Sequence, residues 1–307
     1  MLCSGYNREV AKARRRYGSY EAAKAALKRA YKSTWQRYVE APDPGETLYH
    51  YCPQPTAFKI LESGKLWASD ALRMNDATEI TYAHDVIDTV VGERENGIPK
   101  YLIKSVKPAQ TVRDIWSTWC THISCLSSEG DLPSQWEKYA AKGEGVAIGF
   151  DRQELTKVCN QQGISLFPIS YDRRCHERTI RALLERATAI EIERGLQPPD
   201  RDEFRKDVNV YLASLAMTMK NSDWRHEHEW RILVIQTDAE TRFKRLSTGE
   251  GKCYFELLVV SPLTVKEISL GPRYDQKEQE LSDLLRKVCM NSVRLRLSSA
   301  ENLSTFA

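Results

Sequence analysis

Leu48-Tyr-His-Tyr51, then Thr56-Ala-Phe-Lys-Ile-Leu-Glu-Ser63 closed by Gly64, then Leu66-Trp-Ala-Ser69 read as strand, helix and strand in turn. Glycine after the apolar helical run supplies the stop. Just upstream, Ala41-Pro-Asp-Pro-Gly45 opposes any helix entering from the N-terminal side, so a compact unit is expected to begin at Thr47. Downstream, strands are expected at His122 to Leu126, Val146 to Phe150, Leu166 to Tyr171, Trp230 to Ile235, Tyr254 to Val260, Val265 to Leu270 and Val293 to Leu297. Long helices are expected over residues 176–195, 201–221 and 275–290. Strand runs broken by irregularly placed helices predict an α+β fold: a mixed, mostly antiparallel sheet with flanking helices. No glycine-rich phosphate loop supports a Rossmann or P-loop reading.

From Arg8 to about Val39, Tyr20, Ala23, Leu27, Tyr31, Trp35 and Tyr38 recur at helical steps between basic residues. This predicts an amphipathic helical arm over residues 1–45, with a single α+β domain over 46–307. The arm is basic: residues 1–40 carry 10 Lys and Arg against 3 Glu, leaving 35 against 39 elsewhere. Such an arm is expected either to contact nucleic acid or an acidic partner, or to form a solvated cationic face.

At 307 residues the chain is long enough to bury a sizeable core. No stretch approaches the roughly 20 apolar residues that span a bilayer, and the first residues lack an apolar signal core. A cytoplasmic protein without membrane contact is expected. The eight cysteines, Cys3, Cys52, Cys120, Cys125, Cys159, Cys175, Cys253 and Cys289, form no CxxC pair. They read as buried thiols rather than as a disulfide framework or a zinc ribbon.

Three segments carry candidate chemistry. Met74-Asn-Asp-Ala-Thr-Glu79 places Asn75 and Asp76 where they cap a helix, with Glu79 completing a capping box; the same pair could hold a substrate hydroxyl or a metal. In Ser134-Gln-Trp-Glu-Lys-Tyr-Ala140, Trp136 and Tyr139 share a helical face, suited to core packing or to stacking on a planar ligand. In Lys220-Asn-Ser-Asp-Trp-Arg-His-Glu-His-Glu-Trp-Arg231, an extended chain turns Glu227, Glu229 and Arg231 one way and His226, His228 and Trp230 the other. Two carboxylates on one face are costly unless paired, metal-bound or put to use, and Arg231 is a ready partner for Glu229. His226 and His228 have ligand spacing but no clear third ligand, so no metal is assigned. His50 stands at a strand end between Tyr49 and Tyr51, where a ligand is plausible.

Taken together, Leu48-Tyr-His-Tyr51, Gly64-Lys-Leu-Trp-Ala-Ser69, Asn75-Asp76-x-x-Glu79, Cys125-Leu-Ser127, Trp136-x-x-Tyr139, Gly145-Val-Ala-Ile-Gly-Phe150 and Lys220 through Glu229-Trp-Arg231 resemble the bacterial domain of unknown function 2971, over about residues 47–271. A weaker resemblance is to the ADP-ribosyltransferase superfamily, which implies a split form of the sheet and NAD as substrate. In that family a first-strand His or Arg binds NAD and a later strand carries a catalytic Glu, often in Glu-x-Glu. His50 matches the first position, and Glu229 with Glu227 the last. The middle motif aligns with Ser124 to Ser127 or with Tyr139.

The resemblance implies NAD transfer or hydrolysis, as in a toxin or phage-defence effector. Glu229 would be catalytic, Glu227 would orient the acceptor, and His50, Tyr51, Asn75, Asp76, Trp136, Tyr139 and Arg231 would bind NAD. The acceptor would be nucleic acid or protein. Two alternatives stay open. One is a metal-dependent nuclease or phosphoesterase using Asp76, Glu79, Glu227 and Glu229; the other is a non-enzymatic module that binds nucleic acid or protein.

Overall fold

The computed structural model describes residues 3–38, 46–71, 78–93, 121–235, 245–247, 253–274 and 278–300. The chain divides into two compact units, each assembled from three separate stretches of sequence. This differs from the expected lone arm followed by one domain, because among the described residues the N-terminal helix joins a helical unit with residues 78–93 and 170–222.

In that helical unit, α1 (Cys3–Tyr38) packs with α2 (Arg173–Glu193) and α3 (Asp200–Ala216), and α4 (Thr78–Gly92) packs on α2. The aromatic stripe does what its spacing predicts. The Tyr31 ring lies 4.6 Å from that of Tyr211, Tyr20 donates to Asp207 Oδ2 at 2.8 Å, and Ala23 and Leu27 are fully buried. Asp172 caps α2 by accepting from the Arg174 and Cys175 amides. Along α2, Ile180, Leu183, Leu184, Ala187 and Ile190 recur at helical spacing and form its buried face. Glu191 is buried among them, and Arg205 of α3 grips its carboxylate with Nε at 3.2 Å and Nη2 at 2.9 Å.

The second unit holds the sheet. Its strands are β1 (Thr47–Cys52), β2 (Leu66–Asp70), β3 (His122–Ser127), β4 (Val146–Asp151), β5 (Ser165–Pro168), β6 (Glu229–Val234), β7 (Arg245–Ser247), β8 (Cys253–Leu257), β9 (Val265–Leu270) and β10 (Arg294–Leu297). Their order is β10-β9-β4-β1-β3-β2-β8-β7, and β6 pairs with β3 and β5 off that path. Every pairing is antiparallel except β9 with β10, so the sheet is mixed, mostly antiparallel, and open. The expected α+β fold with an N-terminal helix is what the chain adopts.

The sheet forks at β3. β6 runs along its full length, whereas β1 meets β3 only at Tyr49↔Ser127 and β2 meets it only at Ser69↔Ile123 and Asp70↔His122. Alternation along β1 then separates two environments. Leu48 and Cys52 join Val146, Ile148, Phe150, Leu126, Trp230, Ile232 and Val234 in the main core, while Tyr49 and Tyr51 form a second cluster with Ala147, Trp136 and Ala140. Helices α5 (Gln54–Ser63), α6 (Arg152–Gln161) and α7 (Glu278–Lys287) supply Ala57, Ile60, Leu61, Leu155, Cys159, Leu281, Leu284 and Leu285 to the main core. Burying one such leucine or isoleucine stabilises the fold by about 1.5–3 kcal/mol.

Gly64 ends α5 at φ 70°, its amide donating to Ile60 O at 3.0 Å. Around the turn before β4, the backbone leaves no room for side chains. A Cβ on Gly145 would meet Cys52 O at 2.4 Å, and one on Gly271 would meet Gly143 O at 2.1 Å. Cys52 and Cys159 are buried as expected, and burial pushes both thiols up to about 12. Cys289, at φ 60°, is exposed, contrary to the reading of the cysteines as buried thiols. Among the described residues, no helix is long and apolar enough to cross a membrane.

Candidate functional site

β1, β3 and β6 lie side by side, and their registers align Tyr49 with Ser127 and Ser127 with Glu229. Cross-strand partners share a face, so these three residues form one row. Arg231, two residues along β6 and opposite Cys125, shares the face with Glu229. Its Nε donates to Glu229 Oε1 at 2.7 Å and its Nη2 to Oε2 at 3.2 Å. Both side chains are almost fully buried, Glu229 at 5% and Arg231 at 1% exposure. Loss of water strengthens such a bidentate, charge-assisted pair and makes the loss of either member costly.

The expected extended run through Glu227 begins only at Glu229. Residues Ser222–Glu227 form a 3-10 turn and His228 has φ 47°, so the side-chain alternation is broken before the strand starts. Glu227 therefore has its own surroundings and its own cation. Ser127 Oγ donates to Glu227 O at 2.8 Å, the Ser128 amide donates to His228 O at 2.9 Å, and Lys138 Nζ reaches Glu227 Oε1 at 3.2 Å. The Lys138 ammonium also lies 4.5 Å from the Trp224 ring centroid and 5.0 Å from that of Tyr139. Burial alone would lower the Lys138 pKa, but the Tyr139 hydroxyl and Glu227 carboxylate outweigh it and raise the pKa. Burial, helped by Glu227, raises that of Tyr139.

The segment from Gln135 to Ile232 thus contains most of this geometry. Residues 135–232 match the family model DUF2971, a protein of unknown function. The resemblance read in the sequence is supported over that stretch, which is shorter than the expected 47–271. No curated protein and no solved structure matches the chain. The DUF2971 match includes Trp136, Lys138, Tyr139, Glu227, Glu229 and Arg231, and it leaves His50 and Tyr51 of β1 outside.

Trp136, suited in sequence to packing or to stacking, and Tyr51, which the resemblance assigns to NAD binding, are packed into the sheet unit. Trp136 is fully buried and meets the Tyr51 ring at 4.8 Å and 75°. Tyr51 donates to Glu129 O at 2.8 Å and accepts from the Leu132 amide at 3.0 Å, while Trp136 Nε1 donates to Asp131 Oδ1 at 2.7 Å. Buried rings with engaged polar atoms are what core packing requires of such aromatics. Tyr139 is only partly buried in the structure, and Trp224, not singled out in the sequence, stands with it beside Lys138.

His50 lies on β1 opposite Ile148, and its Nδ1 is 3.1 Å from Cys125 O. A carbonyl only accepts, so Nδ1 carries the proton and Nε2 is the acceptor. Burial lowers the His50 pKa against the opposing effect of the Cys125 carbonyl. Asn75 and Asp76 lie outside the described residues. His226 and His228 are exposed, with His226 Nδ1 donating to Asp223 O at 2.9 Å. Among the described residues, no three His, Cys, Asp or Glu are grouped to hold a metal ion.

Proposed function

We propose that this protein consumes NAD, as an ADP-ribosyltransferase or an NAD glycohydrolase. The observation that carries the reading is the row Tyr49, Ser127, Glu229 across β1, β3 and β6; His50 follows Tyr49 on the first strand and by alternation turns to the other face, opposite Ile148. A first-strand histidine, a later strand with a serine and a still later strand with a glutamate follow the order that the resemblance implies.

The chemistry suits those groups. As the bond between nicotinamide and ribose C1′ breaks, nicotinamide leaves with the bonding electrons and positive charge builds on the ribose. Water or an acceptor nucleophile then bonds C1′ and gives up its proton. A carboxylate against the ribose hydroxyl stabilises that charge, and Arg231 fixes the position of the Glu229 carboxylate for the task. Neutral His50 offers Nε2 to a hydroxyl of the adenosine ribose. Tyr139 is the nicotinamide platform, and Glu227, held by Lys138, orients the acceptor.

The test is nicotinamide release by the purified chain, with and without nucleic acid and cell lysate. Glu229→Gln is expected to lower release by on the order of 10²–10³-fold. Because that change also leaves the Arg231 charge without its counter-ion, the Glu229→Gln/Arg231→Met pair is assayed alongside. Recovered stability with turnover still lost supports a chemical role; unimpaired turnover in folded Glu229→Gln overturns it.

A further inference from the structure

Within the helical unit, α1 and α2 enclose an open groove of about 420 Å³. Its floor is made of small side chains: Ala26 and Ala30, one helical turn apart on α1, face Ala182 of α2. Around that floor stand Arg29, Arg37, Arg186 and Arg194, with Glu193 as the lining carboxylate. Arg186 Nη1 pairs with Glu193 at 3.2 Å, which leaves three guanidiniums uncompensated within the groove. Arg29, Arg37 and Arg194 are exposed, and their side chains have no hydrogen bond or ion pair among the described residues.

Like charges gathered without counter-charge oppose folding, and an anion would relieve them. The spacing selects among anions. Arg29 and Arg37 are eight residues apart on one helix, a separation of roughly 12 Å along the axis. One phosphate cannot reach both, whereas the phosphates of a nucleic-acid strand, which advance about 3.4 Å per nucleotide along a duplex axis, can. The guanidinium fork matches phosphate oxygens bidentately, and the alanine floor admits a backbone without steric cost.

We propose that this groove binds the phosphodiester backbone of nucleic acid, through charge and without reading bases. The proposal is independent of the NAD reading, since none of its residues belongs to the sheet unit.

Anisotropy of a labelled oligonucleotide against the full chain, from about 50 to 300 mM salt, tests it. Three phosphate contacts give a slope of log K against log salt of about −2 on a single strand. Arg29→Ala/Arg37→Ala/Arg194→Ala should keep the helical circular dichroism and melting temperature, weaken binding at least tenfold and flatten that slope. Lys157→Ala/Arg286→Ala/Lys287→Ala removes equal charge from the sheet unit and should stay within about twofold of the parent. Absence of binding at the lowest salt, undiminished affinity in the groove variant, an equal loss in the control variant, or displacement of the oligonucleotide by poly-glutamate as effectively as by unlabelled oligonucleotide would each overturn the proposal.

Discussion

Arg231 grips Glu229 two residues back along the same strand, through both carboxylate oxygens and almost wholly out of water. Truncating one member strands the other's charge in a medium that solvates it poorly. Arg231→Met is therefore expected to cost about 3–5 kcal/mol in urea unfolding. Adding Glu229→Gln removes the stranded charge, so the double variant should recover most of that loss; additive losses would mean that the pair does not act as a unit.

The Lys138–Glu227 pair should contribute less. Glu227 is buried, but the Lys138 side chain is 38% exposed, so water and salt screen the attraction. Lys138→Met is expected to lower stability by about 1–2 kcal/mol, less than Arg231→Met. In urea unfolding of parent and variant at about 0.05 and 0.5 M salt, the gap should be narrower at the higher salt.

His176 supplies a pH dependence with a definite sign. Its Nε2 donates to Ser170 O at 2.9 Å, its Nδ1 accepts from Tyr82 Oη at 2.8 Å, and burial lowers its pKa from 6.5 to about 4. The fold thus prefers the neutral ring. Its contribution is complete above about pH 6.5 and is lost as pH falls toward 4, by up to about 3 kcal/mol. Urea unfolding between pH 7 and 4 checks this, with His176→Asn expected to show a shallower fall over the same window.

Gly145 and Gly271 face backbone rather than yielding side chains. Since a methyl at either would overlap carbonyl oxygens of Cys52 or Gly143, Gly145→Ala and Gly271→Ala should each cost about 3 kcal/mol. Gly92→Ala has open space around it and should not destabilise the protein. Thermal unfolding of the three variants measures the contrast.

Much of the sheet is legible in the sequence because alternation and apolar runs fix which residues turn inward. The expected strands at Leu48, Leu66, His122, Val146 and Val265 appear within a residue or two of their predicted limits. The common face of Glu229 and Arg231 follows from the same period of two. Glu227 defeated that period because a non-glycine residue at positive φ, His228, carries little local signal.

Helix α6 carries a start signal in the sequence that its sparse apolar pattern obscures. Asp151 precedes Arg152-Gln-Glu154 and accepts from the Gln153 and Glu154 amides at 2.9 and 3.0 Å. Burial of Tyr51 and Trp136 was not legible, since aromatic spacing is the same whether rings line a cleft or fill a core. Nor was the two-unit division, which depends on packing α1 against helices more than a hundred residues away.

The fork at β3 bears on how the chain can be dissected. The matched stretch 135–232 carries β4, β5 and most of β6, but β1 and β9, which flank β4, and β3, which flanks β6, lie outside it. Expressed alone, that stretch would present bare backbone donors and acceptors along both edges of β4 and one edge of β6, an invitation to intermolecular strand addition. What is recognisable as a text is therefore shorter than what must be synthesised for the text to become an object.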